Sequence, residues 1–483
     1  MSAGSDNAVL PPLYIDVDGT LTYSDLLFES FLLLIKKNPL YLFLCFFWLL
    51  RGRSHLKGEI ARRVNLDVSL LPYNEPFVAF LQQQQAIGRR LILASASHRL
   101  LVQKVADHLG LFSDVIASDD EHNLKSHAKL QAIEQHAGSG PFAYAGNDTA
   151  DLSVWREASE MIVVNASRPV IASVARIGDA ALVLPGRPFQ IRHVARALRL
   201  HQWAKNLLLF LPLLAAHELS VEKWSSTFIG FIALGLCASA TYVINDLLDL
   251  ASDRAHQRKR NRPFASSVLS IPNGMALIVL LLPLSIWLAW QVSPAFMQFL
   301  LLYVAITLMY SARLKQLPFV DVMVLAFLYT YRILAGGLAA HVEISNWLLA
   351  VSLFMFLSLA LVKRCAELEF MNEAGRTAVK GRGYRNTDLP YLISMGISSG
   401  FMAVMVLALY IDSQTGDVLY PSPELLWWVL PVVLIWLMRL WIKVSRMEIH
   451  DDPVHFAITD AKSWAAGILI GCIIIAASFE WSL

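Results

Sequence analysis

Two hydropathy regimes divide the chain. Up to about residue 190 the apolar runs are short and stop at polar clusters. Leu13-Tyr14-Ile15 ends at Asp16, Arg90–Ala94 ends at Ser95, and Phe142–Ala145 ends at Gly146. Brief apolar runs bounded by turn residues, with longer stretches between them, are the pattern of buried parallel strands. This part predicts an α/β domain over residues 1–165, with a Pro-containing linker at 166–191 (Pro169, Pro185, Pro188). From residue 192 on, apolar runs approach the roughly 20 residues a helix needs to cross a bilayer. Nine spans are read: about 204–219, 225–245, 271–291, 294–310, 319–340, 346–363, 389–411, 424–442 and 463–481. The expected fold is therefore multi-domain, an α/β domain followed by an all-α membrane domain of nine transmembrane helices over 192–483.

Composition agrees. Hydrophobic residues make up 56 % of the 483 and charged residues 16 %, with mean hydropathy +0.50. Soluble domains average about 45–50 % apolar and about 25 % charged. A disordered or nucleic-acid-binding chain is excluded, and the net charge of +2 offers nucleic acid no field. Cys45, Cys237, Cys365 and Cys472 are scattered and form neither a zinc pattern nor a disulfide framework. The polar stretch Met1–Pro12 does not read as a cleavable signal peptide.

Loop charge sets an expected orientation. Alternate loops carry Arg254 and Arg258–Arg262, Arg313 and Lys315, Lys363 to Arg385, then Lys443, Arg446 and Lys462. The opposite loops hold one basic residue, Lys223. This is the positive-inside bias. It places the α/β domain on the cytoplasmic face of a bacterial-type inner membrane and the C-terminus on the other side. Arg192, Arg196, Arg199 and Lys205 suit an anionic lipid surface.

Asp16-Val17-Asp18-Gly19-Thr20 puts two carboxylates at the carboxyl end of a strand, where open α/β sheets bind ligands. Asp16 there can attack phosphorus, and Asp18 can protonate a leaving oxygen. Ser95 at the next strand end suits a phosphate oxygen, and Lys125 can neutralise phosphate charge. Gly146-Asn147-Asp148-Thr149-Ala150-Asp151 offers oxygen ligands for Mg²⁺. In this order the motifs resemble the haloacid-dehalogenase-like (HAD) phosphatase superfamily, across roughly residues 12–165. The resemblance implies Asp16 as nucleophile, Asp18 as general acid/base, and Ser95 and Lys125 at the phosphate. Asp16, Asp18, Asn147, Asp148 and Asp151 would surround Mg²⁺. Asn147 stands where that superfamily usually carries Asp, which predicts weaker metal binding unless Asp148 substitutes. The insert from Tyr23 to Arg89 resembles the superfamily's helical cap. Its apolar run Leu26–Leu50, interrupted by Lys36, Lys37 and Pro39, reads as a helix pair resting on the bilayer, with Trp48 and Arg51 at the interface.

The second span runs into Asn245-Asp246-Leu247-Leu248-Asp249-Leu250-Ala251-Ser252-Asp253. At about 100° per residue, Asn245, Asp249 and Asp253 share one helical face with Asp246 beside it. Such a cluster at a membrane helix end needs cations, and Mg²⁺ bridging a diphosphate is a natural partner. Arg258, Lys259, Arg260 and Arg262 follow and can grip phosphate oxygens. The stretch resembles the first Asp-rich motif of the UbiA-type intramembrane prenyltransferase superfamily, over about residues 192–483. That resemblance implies nine transmembrane helices around a lateral-access cavity whose polar cap is cytoplasmic.

Three further segments carry Lys205-Asn206, Tyr310 with Lys315 and Asp321, and Lys363-Arg364 with Glu367. Arg382, Tyr384 and Arg385 stand where a second Asp-rich motif is expected. These look closest to the polyprenyl-phosphate phosphoribosyltransferase branch, that of decaprenyl-phosphate phosphoribose synthase. The branch implies Mg²⁺-dependent transfer of 5-phosphoribose from phosphoribosyl diphosphate to a polyprenyl phosphate, after which the HAD-like domain would remove the 5-phosphate. Extra cations fit two phosphorylated substrates. Prenyl transfer from a prenyl diphosphate to an aromatic acceptor uses the same Asp-rich motif and is the alternative. A non-catalytic scaffold or transporter is the reading from another class; transport predicts ionisable residues at mid-span, whereas here they crowd at the cytoplasmic ends, with Arg332 and Arg439 the main exceptions. His450, Asp451, Asp452 and Asp460 read as structural, and Trp427, Trp428, Trp441 and Trp464 as interfacial anchors.

Overall fold

A computed structural model describes residues 10–138, 140–188, 190–257, 259–373, 383–413, 420–449 and 453–479. Arg258, Arg382, His450, Asp451 and Asp452 lie outside the described residues. The chain forms two compact units. One is Met1–Leu198 with Tyr242–Val279, the other Arg199–Thr241 with Leu280–Leu483.

The first unit holds a six-stranded sheet in the order β3-β2-β1-β4-β5-β6. The strands are β1 (Leu13–Ile15), β2 (Leu91–His98), β3 (Asp114–Ser118), β4 (Ala143–Gly146), β5 (Glu160–Val164) and β6 (Leu182–Leu184). All pairs are parallel, and Ile15 of central β1 lies opposite Leu93 of β2 and Ala145 of β4. The ends of β1, β2 and β4 therefore open side by side. Alternate side chains go to opposite faces. Leu13, Ile15, Leu93 and Ile162 fill one core, while Tyr14, Ile92, Tyr144 and Val163 fill the other with Trp155.

The α/β fold is as expected, but the sheet continues into the 166–191 stretch read as linker. Helix Arg168–Val174 buries Val170 and Val174, and β6 pairs with β5. Three residues beside Pro185 are too short a run to register as a strand in the hydropathy pattern.

The cap comprises α1 (Leu26–Lys37), α2 (Tyr41–Leu50) and α3 (Arg53–Arg63). Asp25 starts α1 by accepting hydrogen bonds from the Leu27 and Phe28 amides at 2.8 and 3.2 Å. Asn38 and Pro39 separate α1 from α2, since Pro disfavours helix at the residue before it. The ten residues of α2 cover about 15 Å, half a hydrocarbon core. Leu42, Phe43, Phe46, Phe47 and Leu50 are exposed along α2, as an interfacial helix requires. Trp48, expected at the interface, instead turns inward under the Arg63 guanidinium, 4.7 Å from its ring centroid. Arg51 remains exposed.

The remainder of this unit, from Tyr242 to Val279, packs on α1. Leu32 shares a core with Val243, Leu247, Leu250, Phe264, Leu269 and Ile271. A buried ion pair joins Arg254 to Glu29 at 2.6 Å.

Across both units, seven helices among the described residues are long and apolar enough to span a membrane. They are Val221–Leu248, Ile271–Val292, Pro294–Ala312, Val320–Ala340, Asn346–Phe370, Asn386–Ile411 and Pro423–Ser445. The expected count of nine is not confirmed. The stretch read as 204–219 is a 3₁₀ run, Leu200–Phe210, followed by the five-residue helix Leu211–Ala215 with Pro212 near its start. The stretch read as 463–481 is helix Ala461–Ala477, whose 17 residues reach about 25 Å against a core of about 30 Å.

In the second unit the 3₁₀ run meets helix Val320–Ala340 backbone to backbone. A Cβ on Gly336 would stand 2.1 Å from the Leu209 carbonyl oxygen, so only glycine fits. Val322, Ala326, Tyr329 and Ile333 pack with Phe356, Ala360, Leu440 and Trp441. Trp441 is thus a core residue rather than an interfacial anchor, and its indole N–H donates to Ser358 Oγ at 3.2 Å. Trp427, Trp428 and Trp464 are exposed. Asp460 caps helix Ala461–Ala477 and holds Arg439 through two bonds of 2.6 Å.

Candidate functional site

A cleft of about 560 Å³ opens where β1, β2 and β4 end. Gly19, at φ +79°, makes the turn after β1. A side chain there would strike the Asn147 amide, so the two loops interlock. Thr20 Oγ1 donates to Asn147 Oδ1 at 3.3 Å.

Asp16 and Asp18 line the cleft floor. Asp18 accepts from Ser97 Oγ at 2.6 Å and from the Leu26 amide at 2.8 Å. Burial, with Asp25 nearby, pushes its pKa up to about 7 despite these bonds. Asp16 Oδ1 accepts from Lys129 Nζ at 2.9 Å. Burial raises Asp16 to about 7 against the pull of that ammonium. Lys129 also donates to Asp151 at 3.2 Å and to the Tyr144 hydroxyl at 2.9 Å. Burial opposes its charge, but Asp16 and Asp151 outweigh that and raise its pKa. Burial likewise disfavours ionised Asp151, yet Lys129, Tyr144 and the Asp148 and Asn147 amides hold it below the ordinary range. A cation between two carboxylates is what keeps this floor charged.

Asp16, Asp18, Lys125, Asn147, Asp148 and Asp151 all border the cleft. Ser95 does not. It is fully buried, its hydroxyl accepts from the Ser97 amide at 3.0 Å, and Ser97 lines the cleft in its place. Lys125 is exposed at the rim, whereas the lysine that touches Asp16 is Lys129, absent from the sequence reading. A signal existed: Lys129 and Ile133 share one buried helix face at i, i+4 spacing, and a lysine on such a face needs a partner. Lys57 of α3 was also missed; it reaches the Ala96 carbonyl at 2.6 Å and Asn123 Oδ1 at 2.9 Å.

Among the described residues no three His, Cys, Asp or Glu side chains converge as a ready-made metal group. Mg²⁺ needs few protein oxygens and keeps several waters. Asp151 spends its oxygens on Tyr144, Lys129 and two backbone amides, and Asp148 spends one on the Thr149 amide at 2.6 Å. Asp16, bonded to Lys129 through Oδ1, Asp148, and the amide oxygen of Asn147, which accepts from Thr20, are the donors that fit such an ion at the cleft.

The acid-rich segment lies in the same unit. Its helical course persists through the Asp249 amide to the Asn245 carbonyl (3.0 Å) and the Asp253 amide to the Asp249 carbonyl (2.8 Å). Side-chain pairing differs from expectation. Asp246 and Asp253, seven residues and nearly two turns apart, converge on Arg262 at 3.1 and 2.7 Å. Asp249 instead takes Lys36 of α1 at 2.8 Å, and Asn245 is half-buried. Two buried carboxylates are oxygen donors of the kind Mg²⁺ takes, and the half-exposed guanidinium between them is a donor of the kind phosphate oxygens take. Lys259 is exposed in the adjoining turn.

In the second unit, Arg364 is fully buried on Asp321 at 2.7 Å and also bonds Glu367. The Tyr384 hydroxyl donates to Asp321 at 2.5 Å. Arg364 and Glu367 thus belong to one charged network. Asn206 is buried and accepts from Arg332 at 3.0 Å, and Arg332 also donates to Tyr303 at 3.2 Å. The mid-span Arg332 is thereby a packed structural cation. Lys205 stands 5.4 Å from the Tyr329 ring centroid. Tyr310, Lys315 and Lys363 are half-buried and Arg385 is exposed.

Residues 206–479 match the UbiA prenyltransferase family, and residues 13–154 match the haloacid dehalogenase-like hydrolases. An uncharacterized protein of Sinorhizobium fredii, y4nM, is 34 % identical over 470 residues, 96 % of this chain and 91 % of that protein. Nodulation protein NoeC of Azorhizobium caulinodans is 33 % identical over 282 residues, 58 % of this chain and 92 % of NoeC. A decaprenyl-phosphate phosphoribosyltransferase of Mycobacterium tuberculosis is 31 % identical over 230 residues, 46 % of this chain and 76 % of that enzyme.

Proposed function

We propose, for a chain that belongs to the UbiA prenyltransferase family and carries an HAD-like hydrolase domain ahead of it, a two-step enzyme. The membrane part transfers 5-phosphoribose from phosphoribosyl diphosphate to a polyprenyl phosphate. The α/β domain then hydrolyses the 5-phosphate. The observation that carries this reading is the pairing, in one compact unit, of an Asp246–Arg262–Asp253 cluster with a cleft whose floor holds Asp16, Asp18 and Lys129. The phosphoribosyltransferase relative supports the donor and acceptor.

In the first step a lipid phosphate oxygen attacks C1 of the ribose and the bond from C1 to diphosphate breaks. Mg²⁺ bound at Asp246 and Asp253 would supply charge to the leaving diphosphate. Arg262, half-exposed beside those carboxylates, would contact phosphate oxygens. Asp249, and the cations Lys205, Lys315, Lys363 and Arg385, are candidates for further substrate contacts. The positive-inside bias supports a cytoplasmic side for this chemistry and for the α/β domain.

In the second step Asp16 attacks phosphorus and Asp18 gives its proton to the departing ribose oxygen. Water then attacks the aspartyl phosphate as Asp18 takes up its proton. Lys129 keeps Asp16 oriented and offsets its charge. Mg²⁺ at Asp16 and Asn147 would shield the phosphate oxygens.

A pH profile follows. Asp18 must carry its proton, and that proton is lost above about pH 7. Phosphate release per enzyme, as kcat/KM, is expected to fall on the alkaline side with an apparent pKa near that value. Mg²⁺ held beside Asp16 would favour the anionic form of both carboxylates, so both limbs are expected to move to lower pH as Mg²⁺ is added.

The two-step reading is tested by mass spectrometry of lipids after incubation with phosphoribosyl diphosphate, Mg²⁺ and a polyprenyl phosphate. The expected products are the phosphoribosyl lipid and then the ribosyl lipid. A product formed only from a prenyl diphosphate and an aromatic acceptor overturns it.

A further inference from the structure

The floor of the cleft comes from the α/β domain, but part of its wall does not. Phe264, Leu269, Ser270, Ile271 and Pro272 line the same cavity as Asp16 and Asp18. They belong to the segment that leads from the acid-rich motif into the next membrane helix, Ile271–Val292. Leu27 and Phe28, in the first turn of α1, line the cavity as well.

This wall is fixed in place. Phe264, Leu269 and Ile271 are buried in a core with Leu32 of α1. Arg254 ties the segment to the cap by bonding Glu29 at 2.6 Å and the Ala265 carbonyl at 3.0 Å. Arg187 donates to the Ser266 carbonyl and stacks 4.0 Å from the Tyr23 ring centroid. The cleft therefore has two chemistries, an ionic floor and an apolar wall whose upper edge is the first turn of a bilayer-spanning helix.

A free sugar phosphate uses only the floor. A phosphomonoester carried by a lipid uses both, because its chain can lie along Leu27, Phe28 and Pro272, backed by the buried Leu269 and Ile271, while its phosphate reaches Asp16. We propose that the substrate of this cleft is a lipid-linked phosphomonoester, recognised by a wall that the transferase segment contributes. This rests on the reading of Asp16 and Asp18 as a phosphatase pair. It also places the hydrolysis after a step that attaches the phosphorylated group to lipid. The exposed apolar side chains of α2, in the same cap, hold the cleft at a lipid surface.

The test uses the full chain in nanodiscs, with ethyl phosphate and octyl phosphate as probes, the latter below its micelle-forming concentration. Each methylene that leaves water is worth roughly a factor of four. With partial burial of the chain, kcat/KM for phosphate release is expected to favour octyl over ethyl phosphate by about 30-fold or more. Ser270→Asp puts a charge on an exposed position of the wall, and Phe28→Ser removes apolar surface from the other side. Each is expected to lower the octyl-to-ethyl ratio by about tenfold, the octyl:ethyl comparison within one preparation cancelling any loss of folded protein. A ratio near one in the unmodified chain, or a ratio unmoved in both variants, overturns the proposal while leaving the phosphatase reading intact. Hydrolysis of neither ester defeats the phosphatase reading, and the proposal with it.

Discussion

An Asp16→Asn protein is expected to release phosphate from a monoester more slowly by a factor on the order of 10⁴ or greater. An amide oxygen does not form the covalent phosphoryl intermediate, and among the described residues the other carboxylates lining the cleft, Asp18, Asp25, Asp148 and Asp151, already accept hydrogen bonds. Asp18 is engaged by Ser97 and the Leu26 amide, and Asp151 by Tyr144, Lys129 and two backbone amides. The fold should tolerate the change. Lys129 keeps Asp151 and Tyr144 as partners, so the expected destabilisation is that of one weakened buried hydrogen bond, about 1–3 kcal/mol. Phosphate release and thermal unfolding, measured on one preparation, separate lost chemistry from lost structure. Phosphatase rates unchanged in Asp16→Asn would refute the assignment.

Asp253→Asn is expected to slow transfer of labelled phosphoribose to polyprenyl phosphate by about 10²–10³-fold. Asp253 is buried and shares Arg262 with Asp246, so the substitution removes one of the two anions available to a metal–diphosphate complex. Arg262 retains Asp246, and the segment stays anchored through Arg254 and Glu29. The loss should therefore appear mainly as weaker metal use: raising Mg²⁺ should recover part of the rate. Equal transfer by the variant and the unmodified chain, at limiting Mg²⁺, would remove this cluster from the mechanism.

The limits of the sequence reading have local causes. Asp16 and Asp18 were legible because a strand stops at them. Ser95 was chosen because the apolar run ends at Ala94, yet β2 continues to His98, with a register irregularity after Ser95. The true strand end therefore delivers Ser97. Lys129 was missed because it lies inside helix His127–Ala137, where only the phase of the helix turns it inward, and hydropathy around a single turn does not set that phase. The Asp246–Asp253 pairing was overlooked for a related reason. Counting turns gives angular position on one helix, whereas the partner Arg262 arrives from a later turn. Two of the nine expected spans are not confirmed, where apolar composition coincides with 3₁₀ geometry or a 17-residue helix.

What the amino-acid order decides alone is solvent partition and local geometry. A run of apolar residues selects bilayer or core, a run of alternating solvents selects layer, and a carboxylate after a strand lands at the sheet's ligand-binding edge. Which charge meets which is decided only when distant segments pack. Lys36 reaches Asp249, Glu29 reaches Arg254, and Phe264 and Leu269 come to wall the cleft of Asp16 because one apolar core draws α1 and the Tyr242–Val279 segment together. Burial is cooperative and non-directional, so it brings these groups into contact without any signal in the spacing of the residues themselves.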